Sequence, residues 1–79
     1  MLKADGFDAA IIGQAMAWRG DGLHNVLVYD AEKMRDILMS RDGMNSLEAR
    51  EFIEYNIEGA YMGEGTPIYV WTNDHMPNI

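Results

Sequence analysis

Four glutamates, Glu48, Glu51, Glu54 and Glu58, recur at intervals of three and four residues. Carboxylates so spaced stand along one side of a helix. A close pair can work as general acid and base only where a pocket raises the pKa of one member. An exposed helix side offers no such pocket. The stripe therefore reads as a solvated face that doubles as an interface for a cationic partner. The other chemistry-bearing residues are sparse. His24 and His75 are the only histidines, and no His-x-x-x-His or similar ligand spacing appears. A metal site would need His24 beside carboxylates such as Asp21 and Asp30. Ser40 and Ser46 stand where helices end and begin, which explains both without a nucleophile's role. Gly63-Glu64-Gly65-Thr66 has the glycines of a phosphate-cradling loop. It lacks a lysine, carries a carboxylate that would repel phosphate, and precedes a strand rather than a helix. We therefore expect no catalytic residues, no metal and no cofactor.

The elements that must position these residues follow from the hydrophobic pattern. From Ile12 to Trp18, bulky residues (Ile12, Gln14, Met16, Trp18) alternate with small ones (Gly13, Ala15, Ala17). This period of two predicts a strand that ends at the Gly20-Asp21-Gly22 turn. Asn25 to Tyr29 is β-branched and aromatic and predicts a second strand. Asp30 ends it and can cap a helix from about Ala31 to Ser40, with Met34, Ile37 and Leu38 as its core stripe. Asn45 with Glu48 makes a capping-box-like pair that opens a helix over Ser46 to Glu58, stopped by Gly59. Its apolar face is Ala49, Phe52, Ile53, Asn56, Ile57 and Ala60. Asn56 on that face needs partners and is expected to tie the helix to the loop after it. Met16, Met34, Met39, Met44 and Met62 read as gap-filling core. Ile68 to Trp71 predicts a third strand, led by Pro67.

The order is β-β-α-α-β, an α+β fold: a small three-stranded, mostly antiparallel sheet with two helices on one face. Residues 1–72 form one domain, and 73–79 read as a flexible C-terminal tail. The 79-residue chain has no cysteine and a formal charge of -7. Absence of cysteine suits a reducing compartment. No apolar run approaches a membrane span, and the first residues show no secretion signal. After Arg50 there is no Lys or Arg, while Glu51, Glu54, Glu58, Glu64 and Asp74 follow. Such a one-signed segment attracts basic surfaces and repels nucleic acid and anionic lipid, so no direct nucleic-acid or membrane partner is expected.

Longer motifs carry a resemblance. Gly6-Phe7-Asp8-x-Ala10-x-Ile12-Gly13, Tyr29-Asp30-x-x-Lys33, Arg41-Asp42-Gly43-Met44-x-x-x-Glu48-Ala49 and Glu54-Tyr55-Asn56-Ile57-x-Gly59-Ala60-Tyr61-Met62-Gly63-Glu64-x-Thr66-Pro67-Ile68 span most of residues 6–70. Together they resemble a family of short phage and prophage proteins, most of them uncharacterised. The resemblance supplies no catalytic residue. It implies a small phage protein made in the cytoplasm of a bacterial host. By analogy of lifestyle and charge, it points to anti-CRISPR inhibitors of type I systems. The expected partner is then a host complex with a basic nucleic-acid-binding surface, such as a CRISPR surveillance complex. The expected contact residues are Glu48, Glu51, Glu54, Glu58 and Glu64, with Tyr55 and Tyr61 as aromatic neighbours. The alternative is a homo-oligomeric phage accessory protein that binds a small ligand or nucleotide signal.

Overall fold

Local turn and cap chemistry sets the order of the elements. A computed structural model of the chain describes residues 1–20, 22–59 and 63–72. Strands β1 (Ile11–Arg19) and β2 (Gly22–Asp30) pair as an antiparallel hairpin. The register shifts by one residue between Ile11 and Gly13, and from Gly13 to Arg19 the pairing runs unbroken against Val28 to Gly22. Asp30 leaves the sheet in an extended conformation, and its Oδ1 accepts from the N–H groups of Glu32 and Lys33 at 3.0 and 3.3 Å. That cap starts α1 (Ala31–Asp42), which ends at Gly43 in the left-handed region, φ 70°. A side chain at Gly43 would be strained there, which is why a glycine closes this helix.

The expected capping box forms in full. The Asn45 side chain accepts from the Glu48 N–H at 2.8 Å, and the Glu48 carboxylate accepts from the Asn45 N–H at 3.0 Å. It opens α2 (Ser46–Phe52), which continues as a π-helical segment over Ile53–Glu58. Strand β3 (Ile68–Val70) then joins the far side of β2, with Val28 opposite Ile68 and Asp30 opposite Val70. The sheet order is β1-β2-β3. The fold is thus α+β, a three-stranded mixed sheet with two helices. The β2–β3 pair is parallel, because the helices between these strands are the crossover a parallel pair requires.

One face of β2 organises the core. Leu27 and Tyr29 pack with Met34 and Leu38 of α1, Ala49 of α2, Ile53, and Phe7 and Ala10 ahead of β1. Tyr29 is fully buried, and its hydroxyl accepts from the Ala4 N–H at 2.9 Å, satisfying a polar group that would otherwise be orphaned. The helices do not reach along the whole hairpin. A nine-residue strand spans roughly 30 Å, whereas a twelve-residue helix spans roughly 18 Å. Among the described residues, the helices therefore leave the face of the hairpin that carries Trp18 and Leu23 exposed at its turn end.

Two expectations are corrected by this packing. Met34 is core and Met44 lies against it, but Met16 is 56% exposed and Met39 is also exposed. Met16 sits on the overhanging part of β1, and Met62 lies outside the described residues. Asn56 is exposed rather than buried. A π-helical turn takes more residues than an α turn, so the stripe laid out from Ala49 and Ile53 continues at Ile57 and carries Asn56 outward. The expected tail, 73–79, lies outside the described residues.

Candidate functional site

The glutamates of the second helix take different places once the caps are formed. Glu48 is exposed, yet one carboxylate oxygen is committed to the Asn45 N–H, so its first duty is the helix start. Glu51 and Glu54 are exposed on the following turns. Glu54 lies 3.7 Å from Arg50 Nε, a long and partly solvated ion pair of the kind that contributes at most about 1 kcal/mol. Arg50 also stacks its guanidinium over the Trp71 ring, 4.5 Å from the centroid. Glu58 is exposed and accepts from Trp71 Nε1 at 3.1 Å. Tyr55, at 78% exposure, stands among these residues on the π-helical segment.

Two basic residues near enough in sequence to neutralise this helix are engaged elsewhere. Arg35 pairs with Glu32 on α1. Arg41 donates to both carboxylate oxygens of Asp42 at 3.1 Å, to the Gly6 carbonyl at 2.9 Å, and lies over the Phe7 ring. The hydrogen bond with Arg41 holds the Asp42 carboxyl below its ordinary pKa and raises that of the guanidinium.

Glu64 does not join the helix residues. Its carboxylate meets His24 Nε2 at 3.0 Å and lies against Gly20, at the turn end of the hairpin. Glu58 and Glu64 are thus at opposite ends of β2. Tyr61 lies outside the described residues. Gly63 has φ 103°, and its carbonyl accepts from both the N–H and the hydroxyl of Thr66, so this loop is a self-closed turn. The Ser40 hydroxyl donates to the Ile37 carbonyl of its own helix. Among the described residues no group of three or more His, Asp or Glu is placed to hold a metal ion. No helix of the described residues is long and apolar enough to cross a membrane.

A cleft of about 380 Å³, invisible in the sequence, opens beside the second helix. Its walls come from the N-terminal segment, the end of α1, the π-helical segment and β3, and include Lys3, Phe7, Leu38, Arg41, Asn56 and Tyr69. The only advance signal was Asn56, a polar residue on a predicted apolar face. Tyr69 stacks at a tilt on Tyr29, with 5.6 Å between ring centroids. Burial, then the neighbouring Tyr29 and Glu58, raise the Tyr69 pKa above that of a free phenol. The cleft has apolar walls and a rim of mixed charge, and no nucleophile and base face each other in it.

Exposed carboxylates beside Tyr55 and a shallow cleft are thus both available to a partner. No protein-family model, curated protein or solved structure matches the chain.

Proposed function

We propose that this chain is a non-catalytic binding module that presents the carboxylates of its second helix to a cationic groove on a host protein complex. The observation that carries the reading is the exposure of Glu51, Glu54 and Glu58 around an almost fully exposed Tyr55. Carboxylates in this setting steer a basic partner and speed its association, and a tyrosine among them supplies contact area at low entropic cost. With the resemblance to short phage proteins, the partner we favour is the nucleic-acid channel of a type I CRISPR surveillance complex. The module would act there as a phage anti-defence inhibitor, competing with target DNA by charge and shape. Glu48 contributes mainly by capping the helix. Glu64, held by His24 at the far end of the sheet, would contribute only to a partner that spans both ends.

The direct test mixes the chain with a purified type I surveillance complex and measures target-DNA binding. Inhibition that weakens with added salt, and weakens again in the Glu51→Gln/Glu54→Gln/Glu58→Gln variant, is the expected outcome. DNA binding that is unaffected by excess chain rejects this partner. The cleft supports a second reading, an accessory protein that holds a small ligand or nucleotide signal. The cleft belongs to one copy of the chain, so this reading predicts ligand binding that survives in a monomer. A nucleotide titration followed by Tyr69 chemical shifts that shows no binding argues against it.

A further inference from the structure

The overhanging half of the hairpin is the least explained surface of the molecule. Among the described residues β1 is an outer strand of the sheet, paired to β2 on one side only. Beyond the irregularity at Ile11 and Gly13 it runs regularly for seven residues, to Arg19. Natural edge strands are blunted with proline, charge or short length. Here there is no proline, and the one charged residue, Arg19, stands at the end. The same strand exposes Ile12, Met16 and Trp18, the last at 75%, and Leu23 opposite Trp18 is 48% exposed. Strand alternation puts Met16, Trp18 and Leu23 on the face that, farther along, the helices cover at Leu27 and Tyr29.

We propose that the occupant of this edge is a second copy of the chain, joined β1 to β1 in antiparallel fashion so that the two sheets become one of six strands. Three features favour a copy over another partner. First, a two-fold axis at Met16, the midpoint of the regular run, pairs Met16 with itself, Gln14 with Trp18, and Gly13 with Arg19. A Cβ at Gly13 would meet nothing within 4 Å, so the position has room for the longer side chain opposite it. Second, antiparallel pairing sets Met16 of each copy beside Met16 of the other and Trp18 beside Gln14, all on the same face, so that exposed side chains of the two copies meet. Third, in a chain of charge -7, β1 carries no carboxylate, so joining two copies through it sets no carboxylates of the strand against one another.

Ile12, Met16, Trp18 and Leu23 leave at most on the order of 450 Å² of side chain in water per copy, about half of the roughly 800 Å² per partner of a standard stable interface, which fits a reversible dimer.

Sedimentation equilibrium of the full chain from low to high micromolar concentration tests this, together with Met16→Lys and Trp18→Lys. Both side chains are more than half exposed, and far-UV circular dichroism checks that the variants fold. The expected result is reversible association to twice the 8.9 kDa chain mass, with a dissociation constant raised at least roughly tenfold by either lysine. Because the chain has no cysteine, a Met16→Cys variant gives an independent reading. Directly opposed strand residues are close enough for a disulfide, so mild oxidation should link Cys at 16 into dimers far faster than a control Tyr55→Cys variant. A chain that stays monomeric at every concentration overturns the proposal and leaves the edge to a strand from another protein. So does a dimer that ignores both lysines and crosslinks no faster at 16 than at 55.

Discussion

Leu27 and Leu23 lie on the same face of the same strand, four residues apart, in opposite circumstances. Leu27 is 8% exposed beneath the helices, and Leu23 is 48% exposed on the overhang. Residue type, strand and orientation are shared, so the difference is one of cover alone. One end of the hairpin stabilises the monomer. The other end contributes little to it and is available for association. The carboxylates of the second helix form a third region, again exposed, but acidic where the exposed side chains of the overhang, Met16, Trp18 and Leu23, are apolar. Burial at the first region sets stability. Exposure at the other two sets what can bind, and charge decides how each binding responds to salt.

The sharpest way to break this comparison is to cut both leucines. Leu27→Ala should cost about 2–4 kcal/mol, from lost burial and the cavity left behind. For a domain of this size that lowers the melting temperature by roughly 10 °C or more. Leu23→Ala should cost under about 1 kcal/mol in the monomer while weakening the dimer. Thermal melts at low concentration read the first effect, and sedimentation reads the second. Equal losses in the two variants would mean that the overhang is covered within one chain, and the comparison would collapse.

Salt separates the two exposed regions. The Glu51→Gln/Glu54→Gln/Glu58→Gln variant should bind a cationic partner roughly tenfold more slowly and with a flatter dependence on ionic strength. Its own self-association should be unchanged. The β1 edge should behave conversely, with dimerisation not weakened by salt, because apolar area and backbone pairing drive it and salt screens the repulsion between two acidic chains. Stopped-flow association at two salt concentrations checks the first statement, and sedimentation at the same two checks the second.

Much of the fold was legible because its signals are local. Asp30 and Asn45 cap where they should, since a short acceptor ahead of an apolar-periodic run has few other uses. The period of two from Ile12 to Trp18 correctly marked a strand. It could not show which stretch of that strand the helices would cover, because cover depends on element lengths and on where the chain turns back. Met16 was therefore misread as core. Asn56 was misread because a 3.6-residue stripe assumes an α-helix, and the π-helical segment breaks the count after Ile53. Beyond the lone signal of Asn56 the cleft was not legible, since it joins residues from Lys3 to Tyr69 that only the crossover brings together. Among the proposed contact residues, the exposure of Glu51, Glu54 and Glu58 followed from the helix pattern. The separation of Glu64 did not, because no local rule fixes the path from Glu58 back to β3.

Glu48 divides the glutamates into those that serve the fold and those left for a partner. Asn45→Ala should cost about 1 kcal/mol by removing one arm of the capping box. Glu48→Gln keeps an acceptor for the Asn45 N–H and should change both stability and partner binding by less. Chemical denaturation of the two variants, alongside the binding assay, ranks them. If Glu48→Gln weakened binding as much as Glu54→Gln, the cap and the contact surface would have to be one feature rather than two.

The smallest expected effect probes the covered end from its far side. Burial, with Tyr29 and Glu58 adding to it, makes the folded chain hold the Tyr69 proton more tightly than the unfolded chain does. Below the ordinary tyrosine pKa of about 10 both states are protonated, and the full stability is present. As pH rises past that point the unfolded chain loses the proton first. It then binds fewer protons than the folded chain, so stability falls until folded Tyr69 ionises as well. Tyr69→Phe should remove this part of the alkaline slope in urea midpoints measured between neutral pH and pH about 11. Glu58→Gln should reduce it without removing it, because Glu58 is the lesser cause, and this ties one carboxylate of the contact helix to the core beneath it. An unchanged slope in Tyr69→Phe would mean that water reaches the ring freely. The cleft beside it would then open to solvent like the overhang, leaving Leu27 and its neighbours as the whole of the covered end.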